Sequence, residues 1–399
     1  MLGSRGIYLL RIMATIGAVA ITCSAHAESL QDIVAQRKLA QDWLDGKVQP
    51  DKPPKVAYTG LPFTIRVTGH QPATASAIAK VITPALRILE KMSNGKIVAY
   101  ERYGQAVHPE KEGVAAILAG TADFAPCYSV WDAQTYPLMQ VMSLPGLYPS
   151  TEIATVVSEQ LYDKYFRHDV EKQGVVMGRL KAGSESNLFS RKPIRAVADF
   201  AGLRMAVPND ITRRTMLALG ATATVMSSNQ LAKAFADGEV DAVAFPDGPA
   251  EVFGIDKVAK YRTALSTTGR YNAEYCLSKP IWQALPRDLQ VVFNTWARAQ
   301  AQAETQIFYG VAGAISVEKF RSAGIEIIEL DAEQQRILAA KTSAVIDDWI
   351  AAQEAAGRPA RQLVEDVKGV IRRFHDVTPN ELMRRALNDP IEINRIKTE

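Results

Sequence analysis

The chain has 399 residues, of which 47% are hydrophobic and 22% are charged. Such a chain can bury a large core, so we exclude an intrinsically disordered protein and expect about two domains. Its 46 basic and 43 acidic residues give a net charge of +3. This near balance gives no electrostatic reason to expect a nucleic-acid partner or an anionic membrane surface.

Residues 1–27 have the pattern of a secretory signal peptide. Two arginines precede an apolar run over residues 12–23, which is followed by an Ala-x-Ala sequence that ends at Ala27. The apolar run is far shorter than the roughly 20 residues that a membrane-spanning helix needs. We therefore predict cleavage after Ala27 and a periplasmic mature chain. Attachment of a lipid to Cys23 is an alternative, but the residues before Cys23 fit it poorly.

The segment 28–60 differs from the rest of the chain. Apolar side chains recur at helical spacing in residues 29–45, and Pro50, Pro53 and Pro54 then prevent any further helix. This pattern predicts an N-terminal extension helix that is followed by a linker.

From residue 61 the pattern changes to alternating strands and helices. The series begins with a strand over Thr64–Thr68, an amphipathic helix over Ser76–Met92 and a second strand over Lys96–Tyr103. Alternation of this kind is typical of parallel sheets that are covered by helices. The sequence therefore predicts an α/β fold.

Two stretches of the chain resemble each other. Residues 115–125 and residues 234–244 both read as a helix end, a glycine suited to a left-handed cap, a short turn with aspartate, and a buried strand. A single stretch of this kind indicates only a helix-to-strand turn. Two of them, each within its own half of the chain, predict two similar lobes.

An unusually long helix is predicted after Pro286, because apolar residues recur at helical spacing as far as Ile307. No flexible tether separates the halves, so we expect several strand crossings at a hinge. The predicted fold therefore has two α/β lobes. The predicted bounds are 61–181 plus 272–311 for lobe I, 182–271 plus 312–374 for lobe II, and 375–399 for a tail that contains a short helix.

The sequence contains none of the common catalytic motifs. Histidines outside the signal peptide are widely spaced, so a base and a nucleophile would have to meet through folding alone. Cys127 and Cys276 could form a disulfide or remain buried thiols. We predict that the protein is not an enzyme. A secreted enzyme on the same scaffold, with Cys127 or Glu185 as its reactive group, is an alternative that lacks a visible partner base.

An ordered set of short motifs resembles the solute-binding proteins of tripartite ATP-independent periplasmic (TRAP) transporters, the dicarboxylate-type family. The resemblance covers about Thr64 to Phe374. The motifs that carry it most clearly are Glu90-Lys91-Met92-Ser93-Asn94-Gly95-Lys96-Ile97, Ile117-Leu118-Ala119-Gly120-Thr121-Ala122-Asp123, Asp199-Phe200-Ala201-Gly202-Leu203-Arg204, Gly238-Glu239-Val240-Asp241-Ala242 and Trp282-Gln283-Ala284-Leu285-Pro286.

The resemblance implies a periplasmic-binding-protein-like fold, in which two α/β lobes are joined by a hinge and braced by the long helix. It also implies a small organic solute held between the lobes until a sodium-coupled membrane permease takes it. It implies no cofactor, and we expect a monomer. A solute sensor that feeds a membrane receptor is an alternative, which the sequence does not separate from transport.

The same comparison reveals departures at the ligand anchors. In the family, a strand arginine grips the ligand carboxylate through two parallel hydrogen bonds, and here its position is Ala206. A second family arginine falls at Glu185, and polar family residues before a proline correspond to Ala244 and Phe245. Losing one charged anchor costs about 1.5 to 3 kcal/mol. We therefore expect a ligand other than a simple dicarboxylate, unless Arg204, Lys181 or Arg270 replaces the missing arginine.

The remaining candidates suit a neutral, hydroxylated, aromatic or cationic solute. Tyr128, Phe245 and Trp131 offer aromatic faces, although Trp131 also fits core packing. We expect no metal, because Ala244 stands where some relatives have an acidic ligand. The predicted ligand-binding residues are Gln71, Tyr128, Glu185, Arg204, Ala206, Asn209, Phe245, Asp247 and Arg270.

Overall fold

The computed structural model of the protein describes residues 28–265 and 268–389. The predicted signal peptide lies outside the described residues, and so does the end of the predicted tail from residue 390. Two β-sheets with helices packed on them form the structure. The predicted α/β fold with two lobes is confirmed, and we name the half built on the first sheet lobe I and the half built on the second sheet lobe II.

The strands and helices alternate along most of the described chain. The strands are β1 (Phe63–Thr68), β2 (Ile97–Arg102), β3 (Phe124–Pro126), β4 (Val175–Arg179), β5 (Asn187–Ser190), β6 (Arg204–Val207), β7 (Thr222–Val225), β8 (Ala242–Phe245), β9 (Tyr261–Thr263), β10 (Tyr275–Ser278) and β11 (Glu326–Ile328). The helices are α1 (Leu30–Ala35), α2 (Lys38–Leu44), α3 (Thr83–Met92), α4 (Gly113–Leu118), α5 (Thr151–Leu161), α6 (Arg167–Glu171), α7 (Asp210–Ala218), α8 (Ser228–Ala236), α9 (Asp247–Val252), α10 (Lys279–Ala284), α11 (Arg287–Glu304), α12 (Gly313–Ser322), α13 (Ala332–Ala355), α14 (Ala360–Phe374) and α15 (Pro379–Asn388).

The chain passes between the sheets more than once. The first sheet has the order β2-β1-β3-β10-β4, and the second has the order β11-β9-β5-β8-β6-β7. The crossings after β4 and before β10 run side by side, where Ala182 pairs with Asn272 in an antiparallel bridge. β10 is antiparallel to its neighbours β3 and β4, as expected for a strand that returns from the other lobe.

The two similar stretches of sequence fold into the same turn. α4 and α8 each end at a glycine with positive φ, 68° at Gly120 and 77° at Gly238. The aspartate that follows then accepts hydrogen bonds from an arginine on the neighbouring parallel strand. Asp123 binds the guanidinium of Arg66 on β1, with an Nη2 to Oδ1 distance of 2.6 Å. In lobe II, the corresponding pair is Asp241 and Arg204, with an Nη2 to Oδ1 distance of 2.8 Å.

The predicted long helix connects the two lobes. α11 continues through a π-helical segment, Thr305–Ala312, directly into α12. At a rise of 1.5 Å per residue, the continuous helical run over 287–322 is roughly 50 Å long. Phe293 packs edge-to-face on Phe124 of the first sheet, whereas Phe320 packs edge-to-face on Phe189 of the second.

The N-terminal extension packs against lobe I and against the last described helix. The predicted single helix over 29–45 is divided into α1 and α2, because Arg37 leaves helical geometry. Its side chain forms an ion pair of 2.8 Å with Glu152 on α5. Asn380 on α15 bonds backbone groups at both Ala35 and Leu39.

Helix α14, which the predicted bounds assigned to lobe II, packs on α5 of lobe I. Leu363 and Val367 share a buried cluster with Ile153 of α5. Asp366 of α14 also forms an ion pair of 2.6 Å with Lys164, just after α5.

A disulfide links the end of β3 to β10 within the first sheet. Cys127 and Cys276, whose state the sequence left open, are bonded with their Cα atoms 5.6 Å apart. The thiol side chains are therefore oxidised and buried in lobe I.

Candidate functional site

A cavity lies between the lobes, beyond the carboxyl ends of their parallel strands. In lobe I, His70 and Gln71 follow β1, and Tyr128 follows β3. In lobe II, Pro208 follows β6 and Pro246 follows β8. Ligands of open α/β sheets bind at strand carboxyl ends, where loops from neighbouring strands diverge. The cavity contains about 490 Å³ of empty space, part of which is continuous with solvent.

Aromatic rings from both lobes and from the crossing segments line the cavity. In lobe I, Tyr128 and Trp131 have ring centroids 4.7 Å apart. Phe245 of lobe II packs on Phe253, with a centroid distance of 5.9 Å. Tyr271, on a crossing segment, and Tyr309, on the long helix, add two more rings. A flat, ring-bearing solute can contact these faces from both sides.

Two polar side-chain atoms in the wall lack a hydrogen-bond partner among the described residues. They are Nδ1 of His70 and Oε1 of Gln71. The His70 side chain is 7% exposed, and burial lowers the pKa of its imidazole below the usual value. The ring is therefore neutral near pH 7, and both atoms are available to a neutral hydrogen-bonding group.

A carboxylate of lobe I contacts lobe II directly beside the cavity. Glu110 accepts hydrogen bonds from the hydroxyl of Ser228, at 2.6 Å, and from its backbone N–H, at 3.2 Å. Ser228 is the first residue of α8, so the carboxylate also lies at the positive end of a helix dipole. The other neighbour of Glu110 is His70, whose Nε2 lies 3.6 Å from Oε1.

A buried charge cluster lies behind the tyrosines. Glu304 on α11 forms ion pairs with Arg179 and with Lys181, the latter at 3.1 Å. Burial lowers the pKa of Lys181 to about 8, despite the attraction of Glu304. The Lys181 ammonium also lies 3.4 Å from the hydroxyl of Tyr309, which is 3.2 Å from that of Tyr271.

A second buried carboxylate lies near the same wall. Glu274 accepts hydrogen bonds from the hydroxyl of Ser129, at 2.6 Å, and from its backbone N–H. Burial raises the pKa of Glu274 to about 7 although these hydrogen bonds act in the opposite direction. Lobe I therefore holds several ionisable groups away from water.

The sequence matches the family described as bacterial extracellular solute-binding protein, family 7, over residues 68–353. The chain belongs to this family. As its description states, this is a family of extracellular solute-binding proteins. The predicted resemblance to TRAP solute-binding proteins is confirmed.

Solved structures of TRAP solute-binding proteins have the same fold. One from a marine metagenome, specific for aromatic acid ligands and bound to 3-hydroxybenzoate, has a TM-score of 0.74 at 18% identity, covering 79% of this chain and 99% of that one. A protein from Rhodoferax ferrireducens T118 with copurified benzoate has a TM-score of 0.74 at 16% identity, covering 79% and 99%. A third, from Bordetella bronchiseptica with bound mandelate, has a TM-score of 0.71 at 17% identity, covering 78% and 100%.

Three of the residues predicted to bind ligand line the cavity of this family 7 protein. They are Gln71, Tyr128 and Phe245, and Trp131 joins them there. Two others, Glu185 and Arg270, form an ion pair of 3.0 Å with each other outside the lining. Arg270 is further bound to the carbonyl of Tyr148.

The remaining predicted residues serve the lobe II scaffold. Asn209 caps α7 by accepting from the backbone N–H of Thr212, and Asp247 binds the guanidinium of Arg262 at 2.8 Å. Ala206 is fully buried in a cluster of lobe II. These three side chains are not among those that line the cavity.

Arg204 does not replace the family arginine missing at Ala206. It lies at the amino end of β6, about 13 Å along the strand from Pro208 at the cavity, and its guanidinium is bound to Asp241. The structure gives no support to the alternative in which Arg204 takes the place of the missing arginine, because its side chain is held at the opposite end of the strand.

Several cavity residues were not predicted. Those next to strand ends, His70, Pro208 and Pro246, could have been found by the rule that places ligands there. Tyr271 and Tyr309 carry no local signal, since they meet only through the crossing of the chain between lobes. Glu110 and Ser228 meet across the lobes for the same reason.

In the part of the chain that the structure describes, no group of three His, Cys, Asp or Glu side chains is placed to hold a metal ion. Within the same residues, no helix has the length and apolar character needed to cross a bilayer.

Proposed function

We propose that this family 7 protein captures a small, ring-bearing organic solute between its lobes and delivers it to the membrane permease of a TRAP transporter. It acts outside the cytoplasm, as a monomer, after removal of residues 1–27. The observation that carries the proposal is the cavity itself, whose aromatic walls come from both lobes.

Because each lobe supplies part of the cavity wall, the cavity suits a mechanism in which the lobes close around the solute. A solute bound to one lobe alone would contact Tyr128 and Trp131, or Phe245 and Phe253, but not both sets. The closed form therefore binds the solute more tightly than the open form, and this difference is what shifts the population toward closure. The permease would then recognise the closed surface.

The ligands of the related structures support a ring-bearing solute. Benzoate, 3-hydroxybenzoate and mandelate each carry one aromatic ring. Six aromatic side chains line the present cavity, namely Tyr128, Trp131, Phe245, Phe253, Tyr271 and Tyr309. From these ligands we take only the aromatic ring as a feature of the solute of this protein. The sequence identity is low, so the polar side chains that hold the solute can differ.

We further propose that binding occurs without chemistry. Cys127, one candidate nucleophile, is bonded to Cys276 and has no free thiolate. The other candidate, Glu185, is paired with Arg270 outside the cavity lining.

A thermal-shift screen of residues 28–399 with ring-bearing metabolites tests the proposal. A solute present at 100 times its Kd stabilises a protein by about 2.7 kcal/mol, so binding solutes will raise the Tm measurably. X-ray scattering should then show a smaller radius of gyration with the solute than without it.

Phe245→Leu should reduce the solute-induced shift, whereas the control Tyr100→Leu, which alters an exposed ring on β2, should leave it unchanged. The proposal fails if no ring-bearing solute raises the Tm, or if a stabilising solute is converted to a product.

A further inference from the structure

We infer that the cavity selects an uncharged ring-bearing solute that carries both a hydrogen-bond donor and an acceptor, such as a hydroxyl or primary amide group. The inference rests on the proposed function, because it concerns the solute of the same cavity. Such a solute differs from the carboxylates bound by the related structures. The inference follows from the positions and ionic partners of the charged side chains around the cavity.

Among the described residues that line the cavity, Glu110 is the one acidic side chain, and lysine and arginine are absent. A carboxylate ligand would therefore enter a wall that offers no cation. It would also share the space with the carboxylate of Glu110, which already occupies the N-terminus of α8. An anion buried beside a like charge and without a partner is strongly disfavoured.

The buried cations nearest the cavity are already engaged inside the protein. Arg179 and Lys181 share Glu304 as their ionic partner and are not among the side chains that line the cavity. Arg270 is paired with Glu185 at 3.0 Å and would have to leave that carboxylate in order to bind one on a ligand, so the exchange gives no net gain. The exposed Lys111 lies over the Trp131 ring, 5.9 Å from its centroid, and is also not among the lining side chains.

Two buried polar atoms of residues that line the cavity remain unpaired, and a donor on the solute would satisfy the acceptor among them. Oε1 of Gln71 is an acceptor without a partner among the described residues. A carboxylate has no hydrogen to donate to it, whereas a hydroxyl or an N–H group has one. Nδ1 of the neutral His70 lies next to it in the chain and is likewise unpaired.

The tyrosine pair supplies the complementary donor. The Lys181 ammonium can only donate, so the hydroxyl oxygen of Tyr309 accepts from it, and this hydroxyl can direct its own hydrogen to Tyr271, 3.2 Å away. This leaves the Tyr271 hydroxyl hydrogen available to an acceptor in the cavity. A hydroxyl or primary amide group can satisfy Gln71 and Tyr271 together.

Matched pairs of solutes test the inference by isothermal titration calorimetry at pH 7.5. Benzamide and benzyl alcohol are compared with benzoate, and mandelamide is compared with mandelate. We expect each uncharged member to bind at least tenfold more tightly than its carboxylate. Equal or tighter binding of the carboxylates would overturn the inference while leaving the proposed function in place. Absence of binding and of any Tm shift for all of these and other ring-bearing solutes would overturn both.

Substitutions of Gln71 test the inference independently. Gln71→Met keeps the length of the side chain but removes the acceptor, so benzamide affinity should fall about tenfold. Gln71→Arg adds the missing cation and should reverse the preference toward benzoate. The control Gln173→Met, outside the cavity lining, should change neither affinity. Unchanged benzamide affinity in Gln71→Met, together with unchanged preference in Gln71→Arg, would contradict the assignment of the anchor.

Discussion

The two lobes share a scaffold but differ in what they present to the cavity. In each, an arginine on a parallel strand binds the aspartate that follows a left-handed glycine, with Arg66 and Asp123 in lobe I and Arg204 and Asp241 in lobe II. The registers correspond as well, because the residue after each arginine pairs with the residue after each aspartate. The repeat therefore fixes the turn at the end of the sheet remote from the solute.

At the cavity end, the similarity is lost. Lobe I contributes the polar side chains of His70, Gln71 and Glu110, whereas lobe II contributes mainly prolines and phenylalanines, with Ser228 as its polar contact. Lobe I also contains the disulfide and the buried ionisable groups around Glu304. The two lobes thus share the packing of their scaffold. They differ in the loops that follow the strands, and these loops supply the side chains that line the cavity.

Of the predicted changes, removal of the disulfide in lobe I should lower the free energy of unfolding most. Cys127 and Cys276 are 149 residues apart in sequence, and closing a loop of this order contributes about 5 kcal/mol on chain-entropy arguments. Changing both residues to Ser should lower the free energy of unfolding by about this amount. Tryptophan fluorescence during urea unfolding is a suitable measurement, since all five tryptophans lie outside residues 182–271.

Reduction of the unaltered protein with dithiothreitol should reproduce the shift of the double variant. An unchanged urea midpoint in both cases would show that the disulfide adds little to lobe I.

Glu274 should make the stability of lobe I depend on pH. Its folded pKa of about 7 lies above the ordinary value of 4.5, so between these pH values the folded protein keeps a proton that the unfolded chain has lost. Stability therefore falls as pH rises through this window and is flat above it, with a total of about 3 kcal/mol. Urea unfolding of Glu274→Gln, compared with the unaltered protein at pH 4.5 and pH 7.5, measures the difference.

The control Glu239→Gln, on the exposed turn after α8 of lobe II, should show no such change in the difference between the two pH values. A pH-independent difference for Glu274→Gln would mean that this carboxylate titrates normally.

The two arginine–aspartate pairs should differ in strength despite their matching geometry. Arg66→Met leaves Asp123, whose side chain is 5% exposed, without its guanidinium and should cost about 2 kcal/mol, reduced from a fully buried pair by the solvent around Arg66. Arg204→Met should cost less, because Asp241 is 37% exposed and water can replace the arginine. Urea midpoints of the two matched variants give the comparison, and equal losses would contradict it.

The smallest effect concerns the contact between the lobes. Glu110→Ala removes hydrogen bonds to Ser228 that join lobe I to lobe II, so closure should be less favourable and solute affinity about tenfold weaker. Titration calorimetry with a bound solute measures this change. Glu112→Ala, an exposed carboxylate in the same loop, is the matched control and should bind normally. Equal affinities would show that Glu110 does not support closure.

Local signals predicted much of the fold. The caps at Asp331 and Thr378 form as their sequences indicate, each accepting a hydrogen bond from the backbone N–H three residues later. The glycine turns at Gly120 and Gly238 were found because a positive φ has a clear residue preference. The division at Arg37 was not predictable, since it depends on an ion pair with Glu152, which is distant in sequence.

The site was predicted less completely than the fold. Gln71, Tyr128 and Phe245 were identified because they stand beside strands or family motifs. The sequence left open whether Arg204 reaches the ligand, because a sequence pattern does not show that Asp241 holds its side chain. Lys181 was named as a possible substitute for the missing arginine, but its engagement with Glu304 could be seen only in the tertiary structure.

The docking of the amino-terminal helices on α15 has a consequence for biogenesis. Asn380 binds the backbone at Ala35 and Leu39, and Asn388 binds the backbone N–H of Asp51. Because a polypeptide is synthesised from its amino end, α1 and α2 are made long before α15, on which they dock. A chain that stalls before α15 therefore leaves α1 and α2 without this docking surface.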